Sequence, residues 1–278
     1  MKKIILTICA FLLILSISYA QNTEKIKGNR HVTHVNTVVK PFHTIIADQD
    51  FKIDLIYNKL PAVEIQTDEN LQEVIKFKVE DSVLTFSTSK KITSKKELLI
   101  KVSYDDVLKT IETRDKAELN GLATIFLNEG VVRTSGSSKV GLTLKSKKFA
   151  IKSIDKSKVK LNLTTDNCEL EMYTSSEFEA LINAKDLNCV LKDKSQAIIE
   201  GDCKNATISI DNESDFVGKN FAIETCTFKS NSTEDAYLEV KKDIKVNLSE
   251  SGTLYLYENP KIVIDTMTGT TKLVKKIK

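Results

Sequence analysis

The C-terminal half of the chain repeats one short pattern at a constant spacing, and this spacing constrains the fold more than any other feature. Each unit has a small polar pair, a short apolar run, a polar gap and a second apolar run. The residue after the polar pair recurs at Val140, Val159, Phe178, Ala197 and Phe216. The numbers of successive positions differ by 19 each time (159 − 140 = 19, and so on to 216). A fixed period near 20 is typical of a solenoid, whose units bury their apolar faces only by stacking on one another.

A second apolar position keeps the same period. Its members are Ile151, Leu170, Cys189 and Ile208. The first track then advances by 20 to Ala236 and by 18 to Leu254 (236 − 216 = 20; 254 − 236 = 18). The second track would continue at Thr227 but finds its apolar residue at Phe228 (208 + 19 = 227). The spacing therefore predicts a one-residue insertion in this unit and a one-residue deletion in the next.

Within each unit the apolar residues alternate with polar ones. In the run from Val159 to Leu163, for example, Leu161 is flanked by Lys160 and Asn162. This period of two predicts β-strands with one face buried and the other in solvent. Regular spacing also occurs in sandwiches and barrels built from hairpins. Two tracks in step at the same period favour the coils of a parallel β-solenoid instead.

The end of the chain resembles a known family. The stretch Ser249-Glu-Ser-Gly-Thr-Leu-Tyr-Leu-Tyr-Glu-Asn-Pro260, followed by Thr268-Gly-Thr-Thr-Lys272, is similar to the end of the head GIN domain family of adhesin-like exported proteins. The run from Phe42 to Leu108 resembles the family's opening half, so the resemblance covers about residues 40–278. Most of the family's Gly-Ser-Gly turns are here Ser-Lys, Ser-Glu or Ser-Asp. The resemblance implies an all-β, right-handed parallel β-solenoid (β-helix-like), with one coil for each unit of the repeat and an irregular N-terminal β portion.

The N-terminal sequence predicts export. Residues 1–20 have two lysines, an apolar run and a small-residue cleavage pattern, which is typical of a secretory signal peptide. We expect a flexible arm at 21–36 and a single solenoid domain at 37–278, with an N-terminal β portion at 37–108 and repeating coils at 109–278. Asp81 and Ser82, between two strand-like runs, predict a hairpin turn.

We therefore expect a periplasmic, outer-membrane-surface or extracellular protein. No segment after the signal peptide is apolar enough to predict a membrane span.

Composition excludes some classes of function. The net charge is +3, and removing Lys2 and Lys3 with the signal peptide leaves about +1 (3 − 2 = 1), so we predict no nucleic-acid partner. No phosphate-loop or dinucleotide motif occurs, and we predict no cofactor. His31 and His34 have a spacing compatible with a metal ion, with His43 nearby, but no third ligand is evident and we predict solvated histidines and no metal.

Four cysteines remain after the signal peptide, and their even number leaves a disulfide reading open. They are Cys168, Cys189, Cys203 and Cys226. In the coil register Cys168 and Cys189 are offset by two positions (168 − 159 = 9; 189 − 178 = 11). With coils about 4.8 Å apart and residues about 3.3 Å apart along a strand, this offset separates them by about 8 Å, beyond an unstrained disulfide. We predict buried, reduced cysteines and, without a C-x-x-C pair, no zinc site.

Aromatic residues near the C-terminus are the candidate ligand-binding site. Tyr255 and Tyr257 alternate with Leu254 and Leu256, so we expect one pair to face outward. Tyr237 and Tyr173 would extend this outer face. The expected partner is a glycan or a cell-surface protein, and the expected function is that of a non-enzymatic, adhesin-like or ligand-binding protein of the cell envelope.

Two other functions remain open. A carbohydrate-active enzyme, a polysaccharide lyase or hydrolase on the same scaffold, would need paired acids; candidates are Asp166, Glu169, Glu171, Asp186, Asp193, Glu200 and Asp202, with Arg114 or Arg133 as base or clamp. The other possibility is a structural spacer of the envelope. We interpret Lys272, Lys275, Lys276 and Lys278 as charges that blunt the open end of the solenoid, with a basic tail for acidic glycans or anionic lipid as the competing interpretation.

Overall fold

The computed structural model describes residues 24–277. The predicted signal peptide lies outside these residues, as do positions 21–23 of the predicted arm and Lys278. The described chain forms a β-solenoid of about nine turns with ~19-residue coils. Its coils pair in parallel from β-strand to β-strand. The predicted all-β parallel solenoid is therefore confirmed.

The strands divide into three groups along the chain. The N-terminal group is β1 (Lys25–Lys27), β2 (Val32–Val38), β3 (Thr44–Ala47), β4 (Lys52–Tyr57), β5 (Ala62–Asp68), a 3₁₀ turn (Glu69–Leu71), β6 (Ile75–Glu80), β7 (Val83–Thr88), β8 (Lys91–Ser94) and β9 (Leu98–Tyr104). The coil strands are β10 (Thr110–Thr113), β11 (Glu118–Gly121), β12 (Ile125–Thr134), β13 (Lys139–Ser153), β14 (Lys158–Met172), β15 (Glu177–Leu191), β16 (Gln196–Asn212), β17 (Asp215–Ser232) and β18 (Ala236–Glu250). The C-terminal group is β19 (Thr253–Tyr257), β20 (Lys261–Met267) and β21 (Lys272–Lys276).

The register of the coils follows the sequence repeat. Val140 pairs with Val159, Val159 with Phe178 and Phe178 with Ala197, and the track continues through Phe216 to Ala236 and Leu254. The predicted insertion lies in β17, where Ile198 pairs with Val217 but Glu200 pairs with Asn220. The extra residue makes a local bulge against β16, and on the other side the pairing of β17 with β18 shifts register twice, between Gly218 and Ala222 and between Ile223 and Thr225.

Each long strand bends once, because its buried positions change phase. In β14, Val159, Leu161 and Leu163 are buried, and the buried positions then resume at Cys168 and Leu170. The corner between the two runs has a small side chain in successive coils: Ser146, Thr165, Ala184 and Cys203 share this register position. Thr165 Oγ1 lies there and donates to the carbonyl oxygens of Asn167 at 3.1 Å and Lys147 at 3.2 Å.

The serine of each repeated polar pair is buried at the turn between coils. Ser138, Ser157 and Ser176 are fully buried, with exposed fractions of 0%. Each donates its hydroxyl to the carbonyl oxygen three residues earlier, at 2.8, 2.7 and 3.0 Å. A buried carbonyl left without a partner costs free energy. The serine repeats because every coil exposes the same carbonyl to the same dry corner.

A second turn position requires a left-handed backbone. The residues Gly136, Asp155, Thr174, Asp193 and Asn212 have φ angles of 68°, 63°, 64°, 65° and 60°. Glycine, Asp and Asn adopt this conformation at low cost. Asp155 Oδ2 also accepts from the Gly136 backbone N–H at 2.9 Å, and Asp193 Oδ2 accepts from the Thr174 N–H at 3.0 Å. An aspartate here therefore joins two coils.

The solenoid begins earlier in the chain than the predicted boundary at residue 109. β3 and β4 pair in parallel with β10 and β11, so residues 44–57 form a coil of the stack. β7 and β9 pair in parallel with β3 and β4 and add a further layer. β5 pairs antiparallel with β9 and with β2, which forms a cap at this end. The hairpin at Asp81 and Ser82 is confirmed, with φ angles of 49° and 60°.

Part of the predicted N-terminal arm is ordered strand. β1 pairs with β8, and β2 pairs with β5 along its whole length. The polar sequence suggested an arm because β2 alternates weakly and keeps most of its side chains exposed. Its backbone hydrogen bonds to a strand that comes only after β3 and β4 in the chain, and no local sequence pattern reveals that pairing.

At the C-terminal end, β21 is the last strand and contains Lys272, Lys275 and Lys276. β20 pairs with β18 and leaves Val263 and Ile264 exposed by 46% and 52%. The lysines therefore lie on a terminal strand, as expected.

The four cysteines are free and buried. Cys168 pairs with Leu187 rather than with Cys189, which confirms the predicted two-residue offset. Burial raises the pKa of the Cys168 and Cys226 thiols to about 12 and that of Cys203 to about 11. Cys203 occupies the corner position of β16, with its Sγ 3.2 Å from the Asn205 carbonyl oxygen.

The burial of the turn serine predicts that removing its hydroxyl costs more stability than removing the hydroxyl of the adjacent serine. Ser138→Ala removes the bond to the Ser135 carbonyl and the bond that Thr113 donates at 2.9 Å. We expect the free energy of unfolding to fall by about 1–3 kcal/mol, measured by urea denaturation. Ser137→Ala removes a neighbouring hydroxyl that is not buried and is expected to change stability by less than about 0.5 kcal/mol. Equal losses would contradict the role of the buried serine.

The raised thiol pKa values predict a protein without reactive cysteines. The thiolate is the reacting form, so we expect the folded chain from Gln21 to react very slowly with a disulfide reagent at about pH 8. All four thiols should react after unfolding in guanidinium. Lys160→Cys, on the exposed side of β14, is the positive control and should add one fast thiol. Rapid reaction of the unaltered folded chain would contradict this expectation.

Candidate ligand-binding face

The outward side chains of the first strand run in each coil form one continuous surface, which we call the ladder face. Because the coils are in register, these side chains line up in a row across the strands. The central row is Asn120, Gly141, Lys160, Glu179, Ile198, Val217, Tyr237, Tyr255 and Val274. The neighbouring row includes Thr143, Asn162, Leu181 and Glu200.

A shallow groove of about 810 Å³ occupies the N-terminal part of the ladder face. Its walls come from five successive coils, from Asn120 to Ile198. Four steps between coils at about 4.8 Å each give a length of roughly 19 Å. Gly121 and Gly141 lie at one end of the groove, and Gly141 adds no side chain to the central row there. The groove is therefore long, and it crosses the strands.

The groove combines polar and apolar groups. Lys160 Nζ and Glu179 Oε2 form an ion pair at 2.7 Å between adjacent coils. Beside them, Leu181 and Ile198 are exposed by 43% and 39%. Exposed pairs of this kind contribute little to stability, so their charges are available to a ligand. Apolar surface next to hydrogen-bonding groups is the usual composition of a ligand site.

Three of the four predicted tyrosines lie together at the other end of the ladder face. Tyr255 and Tyr257 face outward while Leu254 and Leu256 are buried, as the alternation predicted. The rings of Tyr237 and Tyr255 are stacked, with centroids 4.9 Å apart and planes at 14°. Lys276 Nζ lies 4.9 Å from the Tyr255 ring centroid. We call Tyr237, Tyr255 and Tyr257 the tyrosine cluster.

The stacking decides how the cluster can meet a ligand. Tyr237 covers one face of the Tyr255 ring, and Lys276 lies over that ring as well. At Tyr255 the groups left for a ligand are the ring edge and the phenol hydroxyl. This ring therefore offers a hydrogen bond and an apolar edge rather than an open face for stacking.

Tyr173 is not part of the cluster. It follows β14 at a turn, where its hydroxyl donates to Glu171 Oε2 at 3.2 Å. Lys152 Nζ and Lys192 Nζ lie 5.5 Å and 5.9 Å from its ring centroid. The structure brings together three of the four predicted site residues and leaves Tyr173 on another edge of the solenoid.

Two of the acids proposed for the enzymatic alternative contact side chains of the next coil. Asp166 contacts Lys185 at 2.6 Å, and Asp186 Oδ1 accepts from Asn205 Nδ2 at 2.9 Å. Arg114, one of the candidate bases, contacts Glu112 at 2.6 Å. These contacts join successive coils or neighbouring positions. They are expected wherever charged and polar side chains cover coils that are stacked in register.

Asp48 has the environment of a perturbed acid but lies elsewhere. Burial and the nearby Asp115 raise its pKa, and Arg114 opposes that rise. Asp48 is in the turn between β3 and β4 and does not line the groove.

The histidines are engaged in local contacts. His34 Nε2 lies 2.9 Å from Glu64 Oε1, and His43 Nδ1 lies 2.8 Å from Thr44 Oγ1. Within residues 24–277 no group of three or more His, Cys, Asp or Glu side chains is placed to hold a metal ion. Across the same residues, no helix combines the length and the apolar character needed to cross a membrane.

Sequence reasoning missed the groove, although the repeat contained a signal for it. In each unit, the residue after the first inward position points outward. Taking this residue from every unit would have aligned Lys160, Glu179 and Ile198 in one row with Tyr237. The depth of the groove could not be predicted this way, because it depends on how neighbouring side chains lie, such as that of Asn120 beside Gly141.

Fold and face together define a parallel β-solenoid protein with a long outer groove at one end of the ladder face and an aromatic cluster at the other. The family model described as "Putative auto-transporter adhesin, head GIN domain" matches residues 41–260. The match covers more than half of the chain, and the protein therefore belongs to the head GIN domain family. A search of curated proteins found no match.

Solved structures have the same fold. A "putative adhesin" from Parabacteroides distasonis is 18% identical, with a TM-score of 0.66 and coverage of 90% of this chain and 100% of its own. A "putative adhesin" from Parabacteroides merdae is also 18% identical, with a TM-score of 0.64 and coverage of 90% and 99%. A "putative lipid binding protein" from Parabacteroides distasonis is 16% identical, with a TM-score of 0.58 and coverage of 90% and 100%. At these identities the likeness shows the fold alone.

One carboxylate at the border of the ladder face predicts a pH effect. Burial raises the pKa of Asp215, and the bond from Gln196 Nε2 at 2.8 Å opposes that rise only in part. Its Oδ1 is buried without a hydrogen-bond partner among the described residues. The pKa of Asp215 in the folded chain is therefore above its value of about 4 in the unfolded chain. As the pH rises through and above that value, the carboxylate charge lowers the free energy of unfolding.

We therefore expect Asp215→Asn to increase the free energy of unfolding near neutral pH. The gain should disappear at about pH 3, because the Asp215 carboxyl of the unaltered protein is then neutral in both the folded and the unfolded chain. Urea denaturation at both pH values measures it. Glu177→Gln, exposed in the same row, is the matched control and should show no such gain. A loss of stability in Asp215→Asn near neutral pH would contradict the expectation.

Proposed function

We propose that this protein is an exported, non-enzymatic, adhesin-like protein of the cell envelope, and that its ladder face binds an extended glycan. The observation that carries the proposal is the continuity of the ladder face: one row of outward side chains runs from Ile198 in the groove through Val217 to Tyr237 and Tyr255 of the tyrosine cluster. A chain-like ligand laid across the strands would meet a new side chain at every coil, about every 4.8 Å.

The chemistry of the face suits a polyhydroxylated ligand. Asn162, Thr143 and the phenol hydroxyls supply donors and acceptors. Leu181 and Ile198 supply apolar surface for the less polar side of a sugar ring. Shallow sites of this kind bind by summing several weak contacts along a polymer, and a rigid scaffold avoids the entropy cost of ordering loops.

Export and envelope location are supported by the signal-like residues 1–20 and by the adhesin description of the family. A long solenoid with a repetitive outer surface is suited to contact along its length. A cell-surface protein is the alternative ligand, since the exposed apolar side chains could equally contact another protein.

The enzymatic alternative has less support. Glycoside hydrolysis needs two carboxyl groups facing one bond, whereas Asp166 and Asp186 contact Lys185 and Asn205. The groove itself has Glu179 and Glu200 on its walls, and Glu179 is paired with Lys160. A non-catalytic binding role accounts for these contacts without further assumptions.

The experiment is a glycan-array screen of the chain from Gln21, with bound glycans inspected for cleavage. We expect binding without turnover, and we expect Tyr255→Ala/Tyr257→Ala to weaken it by about tenfold or more, since interface tyrosines contribute disproportionately. Lys160→Ala should weaken it as well, because Lys160 lies in the groove.

Tyr173→Ala is the matched control, because it removes the same side chain from a different edge of the solenoid. It should leave binding unchanged. An equal loss in Tyr173→Ala would contradict the ladder face as the site. Cleavage of the glycan would overturn the non-enzymatic proposal, and absence of any glycan binding would favour a protein ligand or a spacer.

A further inference from the structure

The N-terminal cap has an exposed edge strand. β2 pairs antiparallel with β5 from Val32–Asp68 to Val38–Ala62. Among residues 24–277, the residue-by-residue pairing gives β2 this one partner, since β19 pairs with β18 and β21 and β20 pairs with β18. One edge of this strand is therefore open. An open edge exposes backbone donors and acceptors that can pair with another chain.

The hydrogen bonds at the two ends of β2 fix which groups point outward. The Glu69 N–H donates to the His31 carbonyl at 2.7 Å, and the Val39 N–H donates to the Pro61 carbonyl at 3.0 Å. Since antiparallel strands alternate between bonded and non-bonded residues, the odd-numbered residues of β2 face β5. The backbone groups of Val32, His34, Asn36 and Val38 face the open edge.

β2 lacks the devices that usually protect such an edge. It has no Lys, Arg, Asp, Glu, Pro or Gly in the sequence VTHVNTV. By contrast, the terminal strand β21 contains three lysines in the sequence KLVKK. Charges on an edge strand oppose pairing with another copy. The two ends of the molecule therefore differ in this respect.

The open edge also exposes one end of the apolar core of the cap. Val35 pairs with Ile65, Ile65 with Ile100, and Ile100 with Ile53, so the four side chains form one row on the core side. The exposed fractions of the three isoleucines are 3%, 2% and 0%, but that of Val35 is 44%. The row stops at Val35 only because no further strand follows it.

The sequence of β2 is nearly the same in both directions. Read from Val32 it is V-T-H-V-N-T-V, and read from Val38 it is V-T-N-V-H-T-V. Two antiparallel copies centred on Val35 would thus place valine opposite valine and threonine opposite threonine. His34 would lie opposite Asn36. Pairs of β-branched residues and of threonines stabilise neighbouring antiparallel strands.

We propose that two copies of this protein form a twofold-symmetric dimer by antiparallel pairing of their β2 strands, with Val35 opposite Val35 of the second copy. The same surface serves both partners, as a twofold interface requires. The two cap sheets then become one continuous sheet, and the row of apolar side chains is closed at Val35. The proposal does not depend on the ligand of the ladder face.

The hydrogen-bond phase agrees with this register. Pairing about Val35 puts Val32 opposite Val38 and His34 opposite Asn36, and these are the residues whose backbone groups face the open edge. Each of them offers one N–H and one C=O, so about eight backbone hydrogen bonds would form across the twofold axis. Val35 then falls in a non-bonded pair, where opposing side chains are closest.

The charges at the ends of β2 limit the pairing to the strand itself. Arg30 and Lys40 flank it and would lie opposite each other in the two copies, where like charges oppose further pairing. Arg30 has a φ of 66°, which turns the chain before β2 begins. Within the strand, His34 is the one titratable residue, and it contacts Glu64 of its own sheet at 2.9 Å.

The mass of the chain from Gln21 in solution tests the proposal, measured by sedimentation over a range of concentrations. We expect a reversible dimer. Val35→Lys places two ammonium groups opposite each other at the twofold axis and should raise the dissociation constant at least about tenfold. Val263→Lys is the matched control: it changes a valine of similar exposure, 46%, on β20, and should leave the dimer intact. Circular dichroism checks that both variants fold.

A cross-linking variant keeps the test independent of charge. Val35→Cys should form an intermolecular disulfide under mild oxidation, because the Cα atoms of a non-bonded antiparallel pair lie about 4.5 Å apart, within disulfide range. The native cysteines are buried, so Val263→Cys gives the background rate. A monomer at all concentrations, a dimer that persists in Val35→Lys, or equal cross-linking of both cysteine variants would overturn the proposal.

Discussion

The backbone ladder between successive coils is the constraint on which the rest of the structure depends. Every coil must offer its N–H and C=O groups to the coils above and below, so each residue needs a partner one period away. The turn between coils then has a fixed length, a left-handed residue such as Asp155, and a buried hydroxyl such as that of Ser157. Where β17 has one residue too many, its pairing with β16 shifts once, after Val217, and its pairing with β18 shifts twice before a constant register resumes at Thr225.

The same ladder organises the outer surface. Each outward side chain lies at a fixed distance from the side chains at the equivalent position of the neighbouring coils, so these side chains form rows. This is why Lys160 and Glu179 form an ion pair and why Tyr237 and Tyr255 stack. It is also why a shallow groove can extend over five coils without a specialised loop. A surface made this way suits a long ligand with repeated contacts better than a small one.

The backbone ladder ends differently at the two ends of the solenoid. At the C-terminal end, β21 is a short strand with three lysines. At the N-terminal end, β2, β5 and β9 form an antiparallel cap, which moves the open edge to β2. An edge of neutral, β-branched residues is suited to pairing, whereas a lysine-rich edge discourages it. The two end strands thus differ in how readily they can pair with another strand.

The sequence by itself determined the repeat, the inward residues of each coil, the offset of Cys168 from Cys189 and the outward direction of Tyr255 and Tyr257. All of these follow from two local periods, one along each strand and one from coil to coil. Only the tertiary structure decided that β3 and β4 stack on β10 and β11, which lie far along the chain beyond the cap strands, and that β2 pairs with β5. It also decided that Tyr173 lies apart from the other tyrosines and that a groove lies between Asn120 and Ile198. These features depend on which distant segments become neighbours, and a pairing across a long insertion leaves no period in the sequence.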